Sequence, residues 1–425
     1  MGAGATTQPI AEPTRDTSAH PGPLRGMRVL ELAQIMAGPT CGMMLADMGA
    51  DVIKVEKLPG GDDARGYREP RVNGVSAPFM MLNRNKRGIA LNLKLPAGRD
   101  VLLRMVRDAD VLTENYRRGT LEKLGLGYDV LSNVNPGLVY CAVSGYGRTG
   151  PAADKGGFDL IAQGFAGLMS ITGEPGRPPV KPGNSVADIN AGILAALGVV
   201  AAYVDKLRTG KGQVVDTSLM EAALQQTYWH AAIYFATGTS PGPLGSAHLL
   251  TAPYQAFRTG DGWINIGGAN QANWERIAGV LGHPEWRDDA RFATNTARMA
   301  NLPALVEAMN GVLATRTNAE WIAAFDDAGV PVGPVHTIGK ALEHPQTIAR
   351  DMVVPLSHPQ AGATRALGCP VHFSRTPTRI TRPAPLLGEH TRELLREYGY
   401  GDAEIDALVA DGVVESIDRV PSSAA

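Results

Sequence analysis

The run MRVLEL (27–32), AGPTCGMMLADMG (37–49), DVIKVE (51–56) decides the fold class. Two short aliphatic strands flank one helix-length segment, about 39–49, which is βαβ grammar and implies a parallel pair. The alternation continues outward through GIALNL (88–93), the helix GRDVLLRMVRDA (98–109), DVLTEN (110–115) and LVYCAV (138–143). A doubly wound, Rossmann-like α/β sheet is therefore expected. Helices near 158–172 and 187–208, a strand QVVDTS (213–218) and a helix over about 219–237 extend the same domain. Past the Gly/Pro/Ser-rich stretch 238–246 the character changes. YQAFRTGDGWINIGG places a Gly-Asp-Gly turn between two alternating strands, a hairpin signal, and helical patterns follow near 273–281, 302–314 and 319–328.

These readings divide the chain into a large α/β domain over 24–235, a smaller α+β domain over 245–340, and a segment 348–425. That last segment resumes strands (VVPLSH, PVHFS), ends in two polar helices and is expected to return to the large domain. Residues 1–23, rich in Pro, Thr, Ala and Gly without an apolar core, read as a disordered arm and not as a signal peptide.

Forty Lys and Arg stand against 42 Asp and Glu, so there is no overall field to attract nucleic acid or an anionic membrane. An anionic ligand must be held by local basic residues. Cys41, Cys141 and Cys369 are an odd number without metal spacing, which fits buried thiols in a reducing, cytoplasmic setting. The longest Ala/Val/Leu run, 193–204, contains Gly198 and falls short of the roughly 20 residues of a membrane span, so it reads as a buried helix in a soluble protein. No Walker A, no GxGxxG after the first strand and no HExxH occur, and no metal or permanently bound cofactor is expected.

What remains is polar chemistry on loops. In PGNSVADINAGILAALG, Asp188 opens an apolar helix three residues after Ser185. Ser-x-x-Asp is a capping pattern. A carboxylate at that junction also faces the crevice where doubly wound sheets bind ligands, and carboxylates serve as covalent nucleophiles. Gly183-Asn-Ser185-Val-Ala187 imitates a serine-hydrolase elbow but lacks the preceding strand which that motif needs. Basic residues gather near the ends of the expected strands: Lys54, Lys57, Arg84, Lys86, Arg87, Lys94, Arg117, Arg118 and Lys123. Each alone is ordinarily a solvated charge, but together they suit a phosphate-bearing ligand. Asn115 and Tyr116 offer an amide and an aromatic face beside Arg117.

The combination LRGMRVLELAQIMAGPTCGMMLADMGADVIKVEKLPGGDDAR, NRNKRGIALNLK, DVLTENYRRGTLEKLGLGY and GGFDL resembles the class III CoA-transferases, a family that includes formyl-CoA transferase, carnitine CoA-transferase and α-methylacyl-CoA racemase. The resemblance runs from about Leu24 into the C-terminal region. It implies that Asp188 is the catalytic nucleophile, attacking an acyl-CoA to give a mixed anhydride and then an aspartyl-CoA thioester. Coenzyme A and acyl-CoA enter as substrates. It implies CoA contacts at Met36, Ala37, Lys57, Leu91, Asn92, Leu93, Lys94, Asn115, Tyr116, Arg117, Lys123, Gly156, Gly157, Phe158 and Asp159. Met36 stands where some members have glutamine, and Lys57 and Lys123 where others have arginine, which keeps charge but loses the bidentate fork. Gly267 and Gly268 resemble a glycine-rich substrate loop, with fewer glycines than formyl-CoA transferase carries.

Racemases of the family place histidine before the aspartate of a GHD-type motif. Phe158 cannot move a proton, so transfer is favoured over racemisation; a non-catalytic acyl-CoA-binding protein is the other alternative. Whole-chain resemblance is greatest to succinyl-CoA:glutarate transferases, so dicarboxylate substrates are expected, with Arg148, Arg177, Lys181 and Arg258 as candidates to pair a distal carboxylate. The family's architecture, an interlocked-ring homodimer, is implied by the same resemblance.

Overall fold

The computed structural model describes residues 22–417; the expectation of a disordered arm falls, up to residue 21, outside them. Two compact units divide the chain: residues 22–168, Gly183–Tyr228 and 346–417 form the larger, and Met169–Pro182 with Trp229–Pro345 the smaller.

The larger unit is built on strands β1 (Arg28–Glu31), β2 (Asp51–Lys57), β3 (Arg87–Leu91), β4 (Val111–Glu114), β5 (Val139–Ser144) and β6 (Val214–Ser218). They pair in the order β3-β2-β1-β4-β5-β6, all parallel, with Val414–Glu415 added antiparallel to β3. Val29 of β1 pairs with Val52 on one side and Val111 on the other, so the direction of winding reverses between β1 and β4. That reversal opens a crevice at the carboxyl ends of these strands, the place where open α/β sheets bind ligands. β1, β3 and β4 are buried along their whole length, as parallel strands covered on both faces must be. One core cluster joins Leu30, Ile53, Ile89 and Leu112 to Leu394 and Ile405 of the two C-terminal helices.

Helix α1 (Ala37–Asp47) follows β1, α2 (Pro96–Val106) follows β3, α3 (Asp159–Phe165) follows β5, and α4 (Val186–Thr209) leads into β6. α4 corrects the expected length of the apolar run. It has 24 residues and is long and apolar enough to cross a membrane by length and composition, because Val186, Ala187, Ile189, Ala191 and Gly192 extend the apolar pattern on the N-terminal side of 193–204. One face, Ala187, Ala191, Gly192, Ala195, Ala196, Val199 and Ala202, is buried, packed on α1, β5 and β6. Two other helices are shorter than expected. The segment 158–172 breaks at Gly167 (φ 83°) into α3 and Leu168–Ile171, and 219–237 divides into Leu219–Gln225 and Tyr228–Thr237. In the tail, VVPLSH forms the expected strand, Val353–His358, paired with Gly362–Leu367, whereas the expected strand PVHFS (370–374) is not formed.

In the smaller unit, Tyr254–Arg258 and Trp263–Gly267 form the expected antiparallel hairpin, extended by Val332–Pro334. Helices Gln271–Val280, Leu302–Leu313 and Asn318–Asp327 surround it over a core of Phe257, Ile264, Trp274, Leu305, Trp321 and Phe325.

Candidate active site

The crevice between β1 and β4 holds a cavity of about 320 Å³. Its wall is made at the carboxyl ends of three strands: Gln34–Ala37 after β1, Asn115–Arg118 after β4 and Val143–Gly145 at the end of β5, with Lys155–Phe158 and Asp188. Close backbone approach brings these pieces together. A Cβ on Gly157 would lie 2.5 Å from the Cα of Gly145, so the 156–158 loop crosses directly over the end of β5 only because both positions are glycine. Gly192 has the same office between helices: a Cβ there would meet Ala37 O at 2.5 Å and Thr40 Cβ at 2.6 Å. Asp188 lies one turn earlier on the same face of α4, so this contact carries its carboxylate to the start of α1.

Asp188 sits in the first turn of α4. Burial pushes its carboxyl up to about 7, with a smaller contribution from the negative charge of Asp159. The expected Ser185 cap is not formed, since that side chain makes no capping bond. Asp159 replaces it from 28 residues earlier: its Oδ1 accepts from Ala187 N (2.9 Å), and its Oδ2 accepts from Gln163 Nε2 (2.6 Å). A carboxylate at a helix N-terminus meets both the free amides and the favourable end of the dipole.

The amides of Met36 and Ala37, first of α1, have no acceptor among the described residues, as the geometry of a helix start requires. They border the same cavity as Asp188. Arg117 lies across Gly156, where an added Cβ would come within 3.0 Å of its guanidinium. Tyr116 is mostly buried, which pushes its hydroxyl up to about 12.

Of the residues singled out in the sequence, Met36, Ala37, Asn115, Tyr116, Arg117, Gly156, Gly157, Phe158 and Asp188 converge on this cavity. Lys57, at the end of β2, is exposed and paired with Asp63 (2.5 Å), itself part of the cavity wall. Lys123 is exposed on the single turn Thr120–Lys123. Leu91–Lys94 lie away from the wall: Leu91 is a core residue, and the Asn92 amide donates to Val413 O (2.8 Å). Gly267 and Gly268 belong to the smaller unit, where their amides donate to Pro331 O (2.8 Å) and Pro253 O (2.7 Å).

The basic cluster is corrected by burial. Lys54 and Lys86 are 0% exposed, and Arg84 and Arg87 are nearly so. Lys54 pairs with Glu31 (3.1 Å) and Asp62 (2.8 Å), Lys86 with Glu31 (2.8 Å), Arg84 with Asp47 (2.6 Å), and Arg87 with Asp51 (2.7 Å). They hold the fold together and are not open to a ligand. Arg148 is likewise engaged, by Glu114 and Glu122. Sequence reading missed Lys155, Asp63 and Tyr67. Tyr67 stands near enough to Asp62, Asp188 and Asp63 that, after burial, their charges raise its hydroxyl. Its position on the turn after Gly66 carries no motif; Lys155 was legible as the cation beside Gly156-Gly157.

The family model for CoA-transferase family III matches residues 24–391. The chain belongs to that family. A succinyl-CoA:glutarate CoA-transferase of Mus musculus is 36% identical over 394 residues, 92% of this chain and 90% of the relative. A succinate–glutarate CoA-transferase of Agrobacterium fabrum is 39% identical over 381 residues, 88% of this chain and 95% of the relative. Among solved structures, a CAIB/BAIF family protein from Brucella suis superposes with a TM-score of 0.81 at 37% identity, covering 89% of this chain and 100% of that one. The protein is thus a family III CoA-transferase, an enzyme whose substrates are CoA thioesters, on a mixed α/β fold with a large parallel-rich sheet.

Proposed function

We propose that this CoA-transferase moves CoA from an acyl-CoA, with succinyl-CoA as the leading donor, to a dicarboxylic acid such as glutarate, using Asp188 as the covalent nucleophile. The observation that carries the reading is a half-buried carboxylate at the crevice of a doubly wound sheet, lining one cavity with two helix-start amides that have no acceptor among the described residues. A carboxylate oxygen of Asp188 attacks the thioester carbonyl, and the CoA thiolate leaves to give a mixed anhydride. The thiolate then attacks the aspartyl carbonyl, releasing the first acid and leaving an aspartyl-CoA thioester. The acceptor carboxylate reverses the sequence and the enzyme carboxylate is regenerated. Each addition places negative charge on a carbonyl oxygen, and the Met36 and Ala37 amides supply donors at a positive helix end. Arg117, Arg118 and Lys155 bring positive charge to the same wall for an anionic CoA. Phe158, 69% exposed, offers no proton acceptor where a racemase needs one.

Brief incubation with succinyl-CoA, quenching and intact-mass analysis, then hydroxylamine and peptide mapping, tests this directly. A CoA-sized adduct or a hydroxamate on Asp188 is expected; protein unmodified across a panel of acyl-CoAs would shift the assignment to a racemase or a binding protein. Faster turnover with monocarboxylates than with succinate or glutarate would overturn the substrate class.

Asp188 must be ionised to attack, so kcat/KM is expected to fall as pH drops below about 7. Asp159→Asn keeps an oxygen for Ala187 N but removes the neighbouring charge. The acid limb then moves slightly to lower pH, measured as a pH–rate profile against wild type; an unmoved limb argues against Asp159 as a contributor to the shift that burial dominates.

We further propose a homodimer in a reducing, cytoplasmic compartment. On the larger unit Leu160, Ile161 and Phe165 of α3 and Leu197, Val204 and Leu207 of α4 are exposed, an apolar surface that favours a protein partner. Light scattering at micromolar concentration is expected to give twice the 44.9 kDa chain mass, and a monomer would contradict it.

A further inference from the structure

Four described residues other than glycine adopt a left-handed backbone: Ile35 (φ 65°), Asn73 (46°), Asn85 (60°) and Asp351 (53°). Asn and Asp tolerate that region, but a β-branched side chain there is an outlier that persists only where its surroundings over-determine it. Ile35 is held in that way. Its amide donates to Asp62 Oδ1 (3.0 Å). The preceding residue is clamped by Asn115, whose side chain accepts from Gln34 N (2.9 Å) and donates to Gln34 O (2.8 Å). One residue earlier, Ala33 O accepts from Lys54 Nζ (3.0 Å).

Asp62 is itself fixed from within. Oδ1 also accepts from Ala64 N (2.9 Å), capping the short turn Asp63–Gly66, and Oδ2 lies 2.8 Å from the wholly buried Lys54. Burial alone would raise its carboxyl, but Lys54 and the two amides hold it below the usual carboxylate range. The single buried cation Lys54 therefore secures the strand-to-helix connection twice, directly at Ala33 and through Asp62 at Ile35. The next two residues, Met36, the N-cap, and Ala37, the first residue of α1, border the cavity with Asp188.

We propose that Asp62 is a positioning residue for the transfer reaction, its buried carboxylate keeping Ile35 in the left-handed turn that sets the first amides of α1 against the carbonyl attacked by Asp188. The assignment rests on the reading of Asp188 as nucleophile. Asp62 is 1% exposed and acts through Ile35 without touching substrate, whereas the adjacent Asp63 faces outward to Lys57.

Steady-state kinetics with succinyl-CoA and glutarate test it. Asp62→Ala is expected to lower kcat about 100-fold, the scale of a misplaced reacting group, with KM for the thioester changed by less than about threefold. Adding Ile35→Gly to that variant is expected to restore kcat at least about fivefold, because glycine reaches a positive φ without the side-chain penalty. A merely structural role would lower the folded fraction and would not respond to a glycine at position 35. Asp62→Ala with kcat within about threefold of wild type, or a double variant no faster than the single one, overturns the proposal. If circular dichroism shows Asp62→Ala unfolded, the same rescue is read in Asp62→Asn, where a loss of kcat that Ile35→Gly does not recover is equally fatal. Wild-type protein that forms no Asp188 adduct would instead remove the underlying reading, so the two failures are distinguishable.

Discussion

Asp188→Asn is expected to abolish CoA exchange, lowering kcat by roughly 10⁴-fold or more, while making the folded protein more stable at pH 8. The first effect follows from losing the only group that carries the acyl unit in the proposed cycle; removing a covalent nucleophile costs on this scale elsewhere. The second follows from linkage. Burial raises the Asp188 carboxyl to about 7 in the folded chain from 3.8 in the unfolded one. An acid with a raised folded pKa opposes folding once the pH passes the unfolded value. The cost grows between about pH 4 and pH 7 and is constant above that, at roughly 2–4 kcal/mol. The amide avoids it. Thermal melts of the two proteins should therefore separate at pH 8 and converge near pH 4. Activity lost together with stability at pH 8 would mean that Asp188 is a structural residue and not the nucleophile.

Glu31→Gln is expected to cost about 3–5 kcal/mol of stability, the penalty for leaving a buried charge without its partner. The Glu31 carboxylate lies between two wholly buried lysines, 3.1 Å from Lys54 and 2.8 Å from Lys86. Gly42 leaves room for it, since a Cβ there would overlap Glu31 Oε2. Without the charge Lys54 keeps Asp62, but Lys86 is left with neutral acceptors, the amide oxygen at residue 31 and the oxygens of Pro39 and Asn83. Burial already lowers the Lys86 ammonium to about 8, Glu31 opposing that shift and Lys54 adding to it. A lysine with a depressed folded pKa destabilises the fold most at low pH, and the cost is relieved as pH rises from the folded toward the unfolded value. In the variant the folded value falls further, so the deficit in denaturant unfolding should be largest near neutrality and below and should narrow on the alkaline side. A pH-independent deficit would argue that shape at residue 31, and not its charge, is what matters.

Strand periodicity and spacing gave β1, β2, β4, β5 and the 254–267 hairpin to within a residue or two, because period-two and helical patterns are properties of adjacent residues. Helix ends were less legible. Ser185 looked like a cap in sequence, yet the group that satisfies Ala187 N is Asp159, and no local rule points across 28 residues. The basic cluster shows the same limit: Lys54, Arg84, Lys86 and Arg87 resemble ligand cations in sequence, and apart from Asp62 beside Lys54 their acidic partners lie 23 to 55 residues away or, for Arg87, also in the first of the two C-terminal helices.

The sequence by itself determined the α/β class and the family and pointed to Asp188 as the proposed nucleophile, since a repeated local pattern and a chain-long resemblance need no third dimension. Tertiary structure alone decided which charges face the crevice and which are sealed beneath it, that Asp188 sits at the raised pKa a buried carboxylate acquires, and that Ile35 is forced into a left-handed turn. Those properties depend on burial and on partners brought together from distant strands, and only packing creates either.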